Sequence, residues 1–211
     1  LERSIEVTAV GESTSAPDRA TLRVGVTATG ADAQAVRDDL AAGDEELRAS
    51  LTEWGLAEDA IRTERYDVRE SYDTRDDPNR TRYEGVHLYA IEVDDVDAVG
   101  EVIDVAVDAG ADQVQRIQFG LTEETEREVR EQAIDEAMSN ADDDAAALAN
   151  ASDLEVSGVY EVSTAESRGG TYVTESYQAA AGDDAGASTS VESGDVSVRV
   201  TVNVVYEAVP A

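Results

Sequence analysis

The amino-acid sequence predicts an α+β fold, a mostly antiparallel sheet with helices packed on one face. Three features predict it: runs in which apolar and polar residues alternate, longer runs in which apolar residues return every three or four positions, and the order ββαββαβαββ in which the two kinds follow each other. Hairpins interleaved with helices build antiparallel sheets under a helical layer, whereas doubly wound folds need strict βα alternation. The chain has 211 residues, 41% of them hydrophobic, which is enough for a core and reads as one domain over 1–211.

Ile5, Val7 and Ala9 alternate with polar residues, and so do Leu22, Val24, Val26 and Ala28 after the turn Ser15-Ala16-Pro17-Asp18, so the chain opens on two adjacent strands. From Asp32 to about Trp54, residues Val36, Leu40, Leu47, Leu51 and Trp54 share one helical face, and Gly55 stops the helix. Ile61 to Tyr72 and Arg82 to Val93 form a long hairpin with a polar tip at Asp73 to Thr81. A second helix fits Val96 to Ala109, capped by Asp94 or Asp95, with Val99, Val102, Ile103 and Ala106 inward and Gly110 at its end. Ile117, Phe119 and Leu121 then make a short strand.

The longest helix starts at Thr122, whose hydroxyl can cap it, and Glu123, Glu124 and Glu126 oppose the positive end of its dipole. It runs to about Ala149. Its inner stripe is mostly small, Ala133, Ala137, Ala141 and Ala145 with Val129, Met138 and Leu148, so its backbone can approach a sheet or another helix closely. Leu154 to Val162 is another strand, and 163–194 is a Gly-, Ser- and Ala-rich stretch that reads as a flexible insertion. Val196, Val198, Val200, Val202, Val204 and Tyr206 recur at every second position and give a long last strand. Near the chain end such a strand readily forms a sheet edge, and a long edge invites pairing with another copy, so these six residues are the expected self-association strand.

The charge is equally informative. All 16 cations are arginine, against 48 Asp plus Glu, for a formal charge of −32. Replacing surface lysine by carboxylates points to multimolar salt, where the Debye length shrinks to roughly 3 Å and hydrated cations, held nonspecifically, keep the surface wet. Such a surface disfavours nucleic acid and anionic lipid as partners. Without lysine there is no Schiff base and no Walker phosphate loop, and without cysteine no disulfide, thiolate nucleophile or cysteine metal site. No stretch approaches the ~20 apolar residues of a membrane span. A chain that opens at Leu1 without methionine reads as one whose leader was removed, so the expected location is extracytoplasmic, secreted or held at a halophile's cell surface.

Candidate chemistry is sparse. His87 is the only histidine, but Val86-His87-Leu88-Tyr89 looks like strand interior and no Gly-x-Ser-x-Gly elbow occurs, so it reads as a satisfied strand residue. The acidic groups Asp94-Asp95 with Asp97, Asp142-Asp143-Asp144 and Asp183-Asp184 lack the spacing, glycine and terminal Glu of a calcium loop and read as solvated surface. A carboxylate-pair hydrolase is a further reading, weak because 48 acids supply many pairs. Tyr66, Tyr72, Tyr83 and Tyr89 line the hairpin and would suit a carbohydrate platform, although cross-strand aromatic packing is the commoner use of such residues. Asn79-Arg80-Thr81 and Asn150-Ala151-Ser152 are N-glycosylation acceptor sequences, Asn79 being the better placed. No catalytic, cofactor-binding or metal-ligating residue is assigned.

Several phrases, in order, are similar to a known family: Val7-Thr8-Ala9-Val10-Gly11, then Ala16-Pro17-Asp18-Arg19-Ala20 and Leu22 to Val26. Trp54-Gly55-Leu56, Glu58 to Thr63, Tyr83-Glu84-Gly85, Asp108-Ala109-Gly110-Ala111-Asp112, Ile117-Gln118-Phe119 and Ser193-Gly194-Asp195-Val196 follow at matching spacing. Across nearly its whole length the chain resembles the SIMPL-domain family, which includes YggE-like and periplasmic immunogenic proteins, as a haloarchaeal-type member. Val86 departs from the aromatic residue often found after the glycine in that family. The resemblance implies an exported α+β domain that assembles into a homo-oligomer and is linked to envelope or oxidative stress, with no catalytic residues to carry over. The combined expectation is a non-enzymatic structural or interaction module without a cofactor; a monomeric binder using the Tyr-lined hairpin or the 163–194 stretch is the alternative.

Overall fold

The computed structural model describes residues 3–71, 82–165, 189 and 191–211. The elements follow the expected order: β1 (Ser4–Ser15), β2 (Arg19–Gly30), α1 (Ala33–Trp54), β3 (Ile61–Ser71), β4 (Arg82–Val93), α2 (Val99–Asp108), β5 (Gln113–Gly120), α3 (Glu123–Ala151), β6 (Leu154–Ala165) and β7 (Val196–Pro210). The fold is α+β, with two antiparallel sheets where the sequence suggests one. One has the strand order β1-β7-β6, the other β3-β4-β2-β5, so the consecutive strands β1 and β2 belong to different sheets. The chain divides accordingly into two compact units, one built on β1, α3, β6 and β7 and the other on β2, α1, β3, β4, α2 and β5.

In the second unit Ala20, Leu22, Val24 and Val26 of β2 and Tyr89, Ile91 and Val93 of β4 are buried with Val36, Leu40, Leu47 and Leu51 of α1 and Val99, Val102, Ile103 and Ala106 of α2. The Asp32 side chain caps α1 by accepting from the Ala35 amide at 2.9 Å, and Gly55 ends it at φ 125°, a left-handed geometry that favours glycine. Asp95, one of the two expected caps, opens a short 3₁₀ turn (Val96–Ala98) that leads into α2. Thr189 docks on α2, donating from its hydroxyl to Asp104 at 2.6 Å, and Val191 packs against this core; the other residues of the predicted insertion beyond Ala165 and before Val191 lie outside the described residues.

In the first unit α3 covers one face of its sheet. Thr122 caps it, accepting from the Thr125 amide, and Ala133, Ala137, Ala141, Ala145 and Ala149 are buried against β1 and β7. The close approach expected from this stripe occurs at Gly11, where an added Cβ would collide with the Ala133 carbonyl oxygen and the Ala137 amide. Leu148 corrects the predicted stripe: it is 49% exposed, because the four-residue step of the buried alanines drifts around the helix and places Ala149 inward instead.

β7 is also corrected. It lies in the middle of its sheet, paired with β1 from Ser4↔Glu207 to Ser15↔Val196 and with β6 from Leu154↔Pro210 to Ala165↔Thr201. Val196, Val198, Val200, Val202, Val204 and Tyr206 are buried, so their alternation reports a covered face and not a free edge.

The true edges are each protected from further strand pairing. β6 carries bulges at Ser157 and Tyr160, β3 at Glu64 and β5 at Gln115, and bulges twist an edge away from a partner. β1 is regular, but α3 closes part of its edge: Glu12 N–H donates to Glu136 at 2.6 Å and Asn140 Nδ2 donates to the Val10 carbonyl at 2.9 Å. Helical steps of four residues rise about 6 Å, close to the two-residue step of a strand, so side chains of one helical row can serve alternate backbone groups of the strand beside it.

Candidate functional site: the His87 cluster

The polar groups that the fold buries converge at His87. On β4 this residue alternates with Gly85, Tyr89 and Ile91 on the helix-covered side of the sheet, and 9% of it is exposed. The pairing of β3 with β4 places Tyr66 opposite His87 and Thr63 opposite Tyr89. From above, α1 brings Asp44 and Arg48, one helical turn apart and ion-paired at 2.9 Å. The helix sits low because Gly43 faces Val26, where a Cβ would stand 2.8 Å from Val26 Cγ1.

Both ring nitrogens of His87 have partners. Nδ1 lies 2.7 Å from the Tyr89 hydroxyl and Nε2 lies 2.9 Å from the Thr63 hydroxyl. Tyr89 is in turn hydrogen-bonded to Asp44, and the Asp44 carboxylate stands 4.0 Å from Nδ1. A carboxylate only accepts, so Tyr89 donates to Asp44; His87 then donates from Nδ1 to the tyrosine oxygen, and its Nε2 accepts from Thr63. The result is one hydrogen-bonded row, Asp44–Tyr89–His87–Thr63, running from the helix to the exposed edge strand. Tyr66 packs edge-on against the imidazole with ring centroids 5.1 Å apart, and Arg48 sits 5.7 Å from the Tyr89 ring centroid while donating to the Ile61 carbonyl at 3.1 Å.

The electrostatics keep this row neutral at its centre. Burial pushes the His87 imidazole below its ordinary range, Asp44 pulls it back up and Arg48 depresses it further. Burial, with the hydrogen bond and charge of Asp44, holds the Tyr89 phenol far above its usual range. A neutral imidazole engaged at both nitrogens is the satisfied strand histidine that the sequence suggests, and general-base work would first have to break its bond with Thr63.

The other candidates are dispersed. Asp94 pairs with Arg19 at 3.5 Å, and Asp95 caps the turn before α2 by accepting from Asp97 N–H at 3.1 Å. Asp142 accepts from the Tyr206 hydroxyl at 2.6 Å, which together with burial raises that phenol, while Asp183 and Asp184 lie outside the described residues. Among the described residues no group of three or more His, Asp or Glu side chains is arranged to hold a metal ion. Tyr66, Tyr83 and Tyr89 all face the helix-covered side: Tyr89 is buried, Tyr83 half-buried against the core, and of these three only Tyr66 is exposed, so among the described residues the hairpin presents no row of open aromatic faces there. Tyr72 and Asn79 lie outside the described residues; Asn150 is exposed in the last turn of α3. Beside β1, an open groove of about 450 Å³ is lined by Val7, Thr8, Asp144 and Leu148 among others.

Asp44 and Thr63 of the row, with Arg48 beside it, are what the sequence reading misses. Their signal is a gap: the apolar stripe of α1 steps from Leu40 to Leu47, and the position that should fill it on that face is Asp44. A carboxylate inside a core stripe, matched to a histidine at an inward strand position, marks a polar pair at the margin of the core.

No curated protein matches the sequence in comparison. The family model SIMPL, "Protein of unknown function (DUF541)", matches residues 5–206. That span takes in all of the second unit and all but the terminal residues of the first, and the chain belongs to the SIMPL family.

Proposed function

We propose that this chain is a non-enzymatic interaction module that self-associates, works in concentrated salt as a haloarchaeal-type SIMPL protein, and acts outside the cytoplasm. The observation that carries the reading is the state of its one histidine: this imidazole, the side chain type suited to acid–base work near neutral pH, is neutral and engaged at both nitrogens. Its role there is to tie α1 to the β3–β4 ladder. The working environment rests on the −32 charge with no lysine. Among the described residues no helix is long and apolar enough to cross a membrane.

Self-association is tested by light scattering coupled to size exclusion in molar potassium chloride. The expected species is a multiple of the 22.4 kDa chain, and a 22.4 kDa species at high protein concentration rejects the reading in favour of a monomeric binder. Export is tested by intact-mass spectrometry of protein from its native host: added sugar, removed by Asn79→Gln or Asn150→Gln, is the expected result, and a bare polypeptide mass rejects glycosylation at both acceptors.

A further inference from the structure

The second sheet has an uncovered face whose charge runs against the rest of the molecule. Opposite the buried residues of β2, β3 and β5, that face carries Arg19, Arg23, Arg62, Arg65, Arg69 and Arg116. Among the described residues five of the six have carboxylate partners: Arg19 meets Asp94 at 3.5 Å, Arg23 meets Glu64 at 2.6 Å, Arg62 meets Glu92 at 3.0 Å, Arg65 meets Asp67 at 3.2 Å, and Arg69 pairs with Glu84. A chain with three carboxylates per arginine thus has a sheet face where arginines outnumber them.

The register sharpens this. Arg62 lies opposite Ala90, Ala90 opposite Arg23, and Arg23 opposite Arg116, which makes one row across all four strands with three guanidinium groups around an alanine. Directly opposed like charges destabilise a sheet, and Arg116 has no ion pair among the described residues. Half-buried Val86, Leu88 and Ala90 form the apolar floor beneath, with Leu88 draped over Gly25, where a Cβ would collide with it.

We infer that this arginine row docks the acidic outer face of α3 from a second copy of the chain. The inference rests on the self-association proposed above and names its surface. Edge pairing is obstructed in both sheets, which leaves faces as the means of contact. The match is one of charge and length. Glu124, Glu128, Glu131 and Asp135 are exposed and recur at helical spacing on the side of α3 opposite Ala133. They extend about 16 Å along the helix, against about 14 Å for three strand spacings of the arginine row. Guanidinium groups meet carboxylates in paired hydrogen bonds at contact distance, where screening is least, while molar salt suppresses the longer-range repulsion between two acidic chains. A single-stranded nucleic acid fits less well, because among the described residues this face carries no aromatic ring on which bases could stack. Contact between two different surfaces is heterologous, and such contacts close into rings when the rotation permits.

The test is solution mass in molar potassium chloride for four proteins: wild type, R23E/R116E, E128R/E131R, and the chain carrying all four changes. Wild type should assemble, each double variant should fall to the 22.4 kDa species, and the combined chain should regain assembly because the charges again oppose. R116Q guards against misfolding, since it removes a like charge from an exposed edge; it should keep the wild-type melting temperature and weaken assembly. Double variants that assemble as wild type does, or a combined chain that stays monomeric while folded, overturn the docking surface and leave self-association standing. A monomeric wild type overturns both. Binding of a fluorescent oligonucleotide, lost in R23E/R116E, would instead assign the face to nucleic acid.

Discussion

At His87 the cost of burial has a sign that can be measured. Its imidazole is depressed below the unfolded value near 6.5 by burial, so above that pH both states are neutral and the histidine contributes its full share of stability. As the pH falls through 6.5 towards the folded value, the unfolded chain binds the proton first, and that share is lost. The melting temperature should therefore drop more steeply between pH 7 and pH 5 in the wild type than in His87→Gln, which cannot titrate in that range. Equal slopes would show that His87 does not titrate from a buried neutral state. The sequence makes the outcome at this residue legible but not its cause. Val86 and Leu88 flanking His87 mark a strand, yet the hydroxyl that engages Nδ1 is held by Asp44, a residue 43 positions away by the numbering and on a helix. Strand periodicity carries no information about which helix lies above.

Among the elements, α3 and β1 make the most demanding contact. An alanine at position 11 has its Cβ directed at the Ala133 carbonyl oxygen and the Ala137 amide, both of them backbone that cannot rotate away. Gly11→Ala should accordingly cost about 1–3 kcal/mol of stability as an overpacked core position. Urea unfolding in molar salt checks it, and an unchanged midpoint would mean that the helix rides higher on the sheet. The alanine stripe was legible because small residues at four-residue steps predict close approach, and the cap Thr122 was legible because its hydroxyl precedes the periodic run. Strand partners were not. Alternation says which side of a strand is covered, but β1 and β2, joined by only Ala16-Pro17-Asp18, look like a hairpin while pairing in separate sheets. For the same reason β7 read as an edge: its length comes from ladders on both sides, which no local pattern reveals. The arginine row was hidden likewise, since Arg23, Arg62 and Arg116 become neighbours only through the register of four strands.

For the whole molecule the controlling quantity is the −32 charge spread over 211 residues. Both cores are built from ordinary apolar packing, so nothing in them demands salt. What opposes folding is the repulsion among carboxylates on the surface, which the ion pairs relieve only locally. The pairs of Arg62, Arg65, Arg69 and Arg199 involve arginine side chains at least 58% exposed, and exposed pairs contribute about 0–1 kcal/mol each. Lowering ionic strength from about 1 M to about 0.01 M lengthens the Debye length from roughly 3 Å to 30 Å, so that charges on opposite sides of either unit begin to repel one another. Cations condensed on the surface are lost in the same dilution. The melting temperature followed by far-ultraviolet circular dichroism should therefore rise steadily from dilute buffer to molar potassium chloride, and the helical signal should diminish at the dilute end. Acidifying a low-salt sample to about pH 5 should recover part of that signal as carboxylates begin to neutralise, even though His87 pulls the other way. A melting temperature that does not change across the salt series would mean that the carboxylates are too well dispersed to matter, and would remove concentrated brine as the setting in which this fold evolved.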